Sequence, residues 1–163
     1  MKKTDVVIIG AGPCGLFQVF ELGLLGLKSE VIDSIRNPGG QCTELYPDKP
    51  IYDIPAIPMC TGQELTDSLL KQIEPFDYGM TLNDEVISID RQGENDFIIE
   101  TISNKKFQCQ AVVIAGGVGS FQPRQLRVEN ADQFLDNHCF IGLEILVFFV
   151  IDVLPFLGVG TRH

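Results

Sequence analysis

Apolar residues come first in a near-continuous run and then at helical spacing. Residues 5–9, DVVII, are β-branched and almost free of polar interruption, the composition of a parallel strand buried on both faces, and Gly10 ends the run. The period then changes. Leu16, Phe17, Val19, Phe20 and Leu24 make one apolar helix face; Pro13 suits the first turn, and Gly23 and Gly26 loosen the carboxyl end. SEVID, residues 29–33, predicts a second strand ending at Asp33, which completes a strand, helix, strand unit.

Residues 37–58 carry five prolines and read as one long irregular loop. Loops of that length are usually functional rather than connective. Thr61 opens a second helix: Glu64, three positions on, forms a capping box with it, and Leu65, Leu69, Leu70 and Ile73 line one face. From Asp84 to Gln110 the alternating runs EVISID, DFIIET and KKFQCQ are separated by RQGEN and SN, the pattern of an antiparallel β meander. AVVIAGG supplies a closing strand. There is no internal repeat and no low-complexity tract.

At 163 residues the chain has room for one domain with a sizeable core and not for a full two-domain enzyme. Twelve Lys and Arg against twenty-two Asp and Glu give a net charge of -10, which repels a phosphate backbone and argues against nucleic-acid binding. The apolar run near the amino terminus is broken by Asp5 and a glycine turn, too soon for a signal-peptide core, so the expected compartment is cytoplasmic. Five cysteines, an odd number with no C-x-x-C pair, point to reduced thiols, and two late histidines, His138 and His163, leave no material for a histidine triad or metal cluster. Any catalysis calls for a cofactor.

GAGPCG, Gly10 to Gly15, is a G-x-G-x-x-G set between a predicted strand and a predicted helix. Gly10 permits the tight turn, Gly12 lets backbone approach a pyrophosphate, and Gly15 lets helix and strand pack closely. Pro13 follows at the helix amino terminus, whose N-H groups and dipole favour an anion, and Cys14 reads as a small filler rather than a nucleophile. Asp33, roughly 20 residues beyond the glycines, is placed to accept hydrogen bonds from an adenosine ribose, and its charge would repel a 2'-phosphate. FAD or NAD is therefore expected over NADP, and the motif alone does not separate those two.

The loop and the segment after the meander narrow the choice. PGGQCTELYPDKPIYDIPA, with its G-G-Q, E-L-Y-P and I-Y-D-I-P elements, and AVVIAGGVGSFQPRQL resemble the ferredoxin or flavodoxin NADP reductases of the thioredoxin-reductase-like kind, from about Thr4 to about Asn137. That family passes electrons between NADPH and ferredoxin or flavodoxin through FAD, using an FAD domain interrupted by an NADP domain. The resemblance implies an α/β, Rossmann-like, three-layer FAD-binding domain with a β meander, here incomplete, and it suggests a homodimer. It implies that Gly10, Gly12 and Gly15 face the FAD pyrophosphate and Asp33 the ribose. Gln41 and Tyr46 come near the ribityl chain and flavin, Val86 touches adenine, and Phe121 packs near the cofactor. No residue is assigned a catalytic or metal-binding role.

Competing classes fare worse on the same residues. The disulfide reductases with Cys-x4-Cys after the second strand would pair Cys42 with position 47, which is Pro47. Thioredoxin reductases of the type with the cysteine pair in the NADP domain are opposed only by the loop motif, and FAD hydroxylases share the glycines but not that loop. A non-enzymatic FAD-binding remnant is the alternative outside enzymes.

The domain division expected is 1–137 for the leading segment of the FAD domain and 138–163 for an aberrant apolar tail, with the NADP domain absent. Phe140 to Val159 is about as long as a bilayer core requires, yet Glu144, Asp152 and Pro155 lie within it, so a membrane span is disfavoured. Its apolar positions follow neither a strand nor a helix period. A shifted reading frame explains them better: codons beginning on the third base permit Leu-Phe-Tyr, then Val-Arg-Asp and Ile-Phe-Arg, then Gly-Gly-Gly-Asp-Ser-Ala, in the order the family would show. One intervening position, restricted to Arg or Trp, does not match. The chain as written is then a truncated form without expected turnover.

Overall fold

A computed structural model describes residues 1–119; Phe121 and the 138–163 tail lie outside them. The first strands are β1 (Lys2–Lys3) and β2 (Val6–Ile9), followed by helix α1 (Pro13–Leu24) and β3 (Ser29–Ile32). The expected strand, helix, strand unit is present, with β3 ending one residue before Asp33. The long loop is less irregular than its prolines suggest. It contains a one-turn helix, α2 (Gln41–Glu44), and β4 (Pro50–Ile51), which pairs antiparallel with β5 (Cys60–Thr61).

Helix α3 (Gly62–Ile73) begins at the expected capping box: Glu64 N-H donates to Thr61 Oγ1 at 3.1 Å and Thr61 N-H donates to the Glu64 carboxylate at 2.8 Å. Then come β6 (Tyr78–Thr81), the meander strands β7 (Val86–Gly93), β8 (Asp96–Thr101) and β9 (Lys106–Cys109), and β10 (Ala111–Ile114). β6 was not expected from YGMT, which lacks a clean alternation. It forms by parallel pairing with β3, and Thr81 Oγ1 donates to the buried Glu30 carboxylate at 2.6 Å.

Four strands form a parallel sheet in the order β10-β2-β3-β6, and the meander forms a second sheet in the order β1-β9-β8-β7, with β1 parallel to β9. Three layers result because β2 alternates. Val6 and Ile8 join Leu16, Val19, Leu22, Leu65, Leu69 and Ile73 on the helical side; Val7 joins Ile32, Ile99, Phe107 and Cys109 on the meander side. Ile8, Leu16, Val7 and Ile99 are fully buried, each contributing about 1.5–3 kcal/mol of hydrophobic stabilisation. This double burial accounts for the continuous apolar run in β2 and fixes the turn beyond its carboxyl end.

Candidate functional site

Parallel strands β10, β2 and β3 end together, and the turns leaving them enclose one cavity of about 510 Å³. Gly10, with φ +110°, turns the chain out of β2 while its N-H donates to the Ile32 carbonyl at 2.8 Å. A Cβ there would strike the carbonyl oxygen of Ala115 in the turn after β10, so only glycine allows the two turns to lie side by side. Gly15 works differently. It is buried inside α1, and a Cβ would overlap the Gly10 carbonyl oxygen, so its absence brings helix and turn together. Gly12 lines the cavity, and nothing lies within 4 Å of where its Cβ would be. Open space at the amino end of a twelve-residue helix is the arrangement that admits a phosphate to the first-turn N-H groups and the positive end of the dipole.

Asp33 follows β3 and reaches back to this turn. Its Oδ2 accepts the Ala11 N-H at 2.6 Å and its Oδ1 accepts the Ile35 N-H at 2.8 Å. The carboxylate therefore holds the glycine turn in place as well as lining the cavity, a tie that the spacing alone did not reveal.

An adjoining wall comes from the former loop. Gly39 (φ +117°) and Gly40 (φ +58°) take left-handed conformations, and the Gly39 N-H donates to the Ala11 carbonyl at 2.8 Å. That bond docks the start of α2 beside Gly12. Gln41 and Tyr46 thus reach the cavity. Pro47 is anchored by the Gln63 N-H at 2.9 Å, and a Cβ on Gly62 would collide with the Cys42 carbonyl oxygen, so α3 seats tightly under this segment. Burial pushes the Tyr46 phenol up from its ordinary value, with the neighbouring Cys42 thiol acting in the same direction, and Lys49 Nζ stands 5.7 Å from the ring centroid. The phenol is held neutral.

Asp84, Glu85 and Val86 form the remaining side wall. Sequence reasoning singled out Gly10, Gly12, Pro13, Asp33, Gln41, Tyr46 and Val86, and all seven line this cavity; Gly15 is packed behind it, and Phe121 lies outside the described residues. Ser34, Ile35, Cys42 and Asp84 were missed. Cys14, expected as a filler, is exposed at the cavity. Only Cys42, within the G-G-Q-C run, carried a signal that could have found it. Among the described residues no cluster of His, Cys, Asp or Glu could hold a metal, and no helix is long and apolar enough to cross a membrane.

A glycine turn, a helix amino terminus and a strand-end carboxylate at the carboxyl edge of a parallel sheet define a dinucleotide-binding class of protein. The profile of the family described as pyridine nucleotide-disulphide oxidoreductase matches residues 4–145. The chain belongs to that family. It is 60% identical over 138 residues to a ferredoxin-NADP reductase of Polaromonas sp. strain JS666, covering 85% of this chain and 38% of that one. A ferredoxin-NADP reductase of Methylibium petroleiphilum is 61% identical over 132 residues, covering 81% of this chain and 36% of the other. The chain thus spans under two fifths of the length of these curated relatives. Among solved structures, Lactococcus lactis thioredoxin reductase superposes with a TM-score of 0.61 at 23% identity, over 80% of this chain and 40% of that one, which is a likeness of fold.

Proposed function

We propose that these residues are the leading FAD-binding part of a ferredoxin- or flavodoxin-NADP reductase. The observation that carries the reading is the convergence of the glycine turn, Asp33, Gln41, Tyr46 and Val86 on one cavity, at about 60% identity to relatives bearing the reductase name. FAD fits the cavity on two counts: open space before the α1 amino terminus suits a pyrophosphate, and the aromatic Tyr46 in the lining suits an isoalloxazine ring. Bound FAD would supply a carrier able to take a hydride and release electrons singly. The chain's own residues bind and orient it. Gly12 gives the diphosphate access, the α1 terminus balances its charge, Asp33 holds the turn and offers its remaining lone pairs to the ribose, and Tyr46 covers the ring with a neutral aromatic face.

NADP(H) binding, the second half of the reaction, has no second strand, glycine turn and helix among the described residues. Electron transfer between NADPH and ferredoxin or flavodoxin is accordingly proposed for the length that the relatives share, in the cytoplasm and as a homodimer, and turnover by these 163 residues alone is not expected. Adding FAD to the purified chain tests the binding claim. A stoichiometric yellow complex with quenched flavin fluorescence supports it, and a chain that folds but stays colourless refutes it. NADPH-driven dye reduction by the same complex would refute the claim of no turnover. The shifted-frame reading of 138–163 is tested by sequencing the gene.

A further inference from the structure

Two carboxylates are buried among the described residues, Glu30 and Asp84. Glu30 serves the sheet, bound to Lys2 and Thr81. Asp84 stands at the wall of the cavity, and nothing above gives it a role. Its Oδ1 accepts the Ser103 N-H at 3.2 Å; its Oδ2 accepts Thr101 Oγ1 at 3.0 Å and Ser103 Oγ at 2.5 Å and pairs with Lys105 Nζ at 3.1 Å. These donors come from the last residue of β8 and the turn that leads to β9. The backbone of the same short segment is tied in the other direction: Asn83 N-H donates to the Ile35 carbonyl at 2.9 Å and Asp84 N-H to the Asp33 carbonyl at 3.0 Å. Ile102 N-H closes the set on the Glu85 carbonyl at 2.8 Å.

Residues 83–85 are thus stitched on one side to the turn that bears Asp33 and on the other to the meander. Val86 follows immediately and lines the cavity while packing against the meander-side core. We infer that Asp84 is the positioning residue for the adenosine end of the cofactor, fixing the spacing between Asp33 and Val86 across which a ribose and its base must fit. The inference rests on the FAD reading for its ligand. A buried carboxylate that accepts from four donor groups ties the segment to the meander at one point, and removing one acceptor atom deprives the buried Thr101 hydroxyl and the exposed Ser103 and Lys105 side chains of their shared partner. The flavin end is assigned to other residues, Gln41 at the start of α2 and Tyr46 just after it, which do not share these bonds.

The two ends can therefore be separated by experiment. FAD is titrated into the full chain and displaced competitively by ADP and, separately, by FMN, in wild type, Asp84→Asn and the milder Ser103→Ala. The expected result is ADP affinity weakened about tenfold in Asp84→Asn and less in Ser103→Ala, with FMN affinity within about twofold of wild type. Equal loss for both competitors would mean a general loosening of the fold and overturn the positioning role, as would no loss for either. If Asp84→Asn fails to fold, Ser103→Ala decides on the same criterion. A wild-type chain that binds neither FAD nor ADP sinks the FAD reading and this inference with it, whereas wild-type binding without selective loss sinks the inference alone.

Discussion

Gly12 and Gly15 stand three residues apart in one motif, and alanine at each should produce opposite failures. At Gly15 the new Cβ would overlap the Gly10 carbonyl oxygen, come within 3.0 Å of the Gly10 carbonyl carbon and reach 3.4 Å from Ile8 Cγ2. Two of those atoms are backbone, so relief requires the turn to move. Overpacking of this kind costs about 3 kcal/mol or more, against about 1 kcal/mol gained from replacing glycine inside a helix. The net is about 2 kcal/mol of destabilisation, roughly 6–10 °C in Tm for a domain of this size.

At Gly12 the backbone has φ -71° and ψ 179°, which any residue adopts, and the Cβ meets nothing. Loss of glycine at an N-cap costs about 0.5 kcal/mol, and the stiffer unfolded chain returns about the same. Stability should be unchanged. The methyl group instead occupies the approach to the α1 amino terminus, and FAD affinity should fall at least about tenfold, or about 1.4 kcal/mol. Thermal and urea unfolding followed by circular dichroism, with FAD titration by fluorescence quenching, separates the two variants. A Gly12→Ala protein that binds FAD like wild type, or that unfolds as early as Gly15→Ala, would refute the division of labour.

Three further outcomes are expected. Thr61→Ala removes the acceptor for Glu64 N-H and should lower stability by about 1 kcal/mol, read as a lower urea midpoint at unchanged slope. For Asp84, burial pushes the carboxyl up, but the bonds from Ser103, Lys105 and Thr101 outweigh it and the pKa falls below its ordinary value. The associated stability is therefore complete above about pH 4, is lost as pH falls below that, and should vanish from the wild-type pH profile in Asp84→Asn. Of the four described cysteines, Cys14, exposed at the cavity, should react fastest with a thiol reagent and be shielded by FAD, while the buried Cys60 and Cys109 stay unlabelled until unfolding; burial also holds the Cys109 thiol in its protonated form. Peptide mapping of the label reads both effects.

The parts of the fold legible in the sequence are those whose cause is local. DVVII, the Thr61 and Glu64 box and the alternating meander each carry their own signal, and each lies where that signal put it; the α1 face was legible in part, since Leu16 and Val19 are buried but Phe17 and Leu24 are exposed and Leu22 takes the core position instead. β6 was hidden because its strand character comes from β3 and Glu30, residues about fifty positions away. β1 was hidden because two exposed lysines have no apolar pattern; it is held by backbone pairing with β9 and by the Lys2 contact with the buried Glu30. In the 37–58 loop, prolines masked α2, whose start is held by the Gly39 bond to Ala11. At the site the motif residues were visible from spacing and resemblance. Asp84 was not, since its importance lies in three partners gathered by the β8–β9 turn.

The double engagement of Asp33 bears on cofactor engineering. In many dinucleotide folds the acidic residue after the second strand is a selector that can be exchanged to favour a phosphorylated ribose. Here the carboxylate fastens Ala11 and Ile35, so a neutral or basic replacement is expected to release the glycine turn whatever it does to a bound ribose. An exchange at Asp33 would then call for a second substitution that supplies the lost latch.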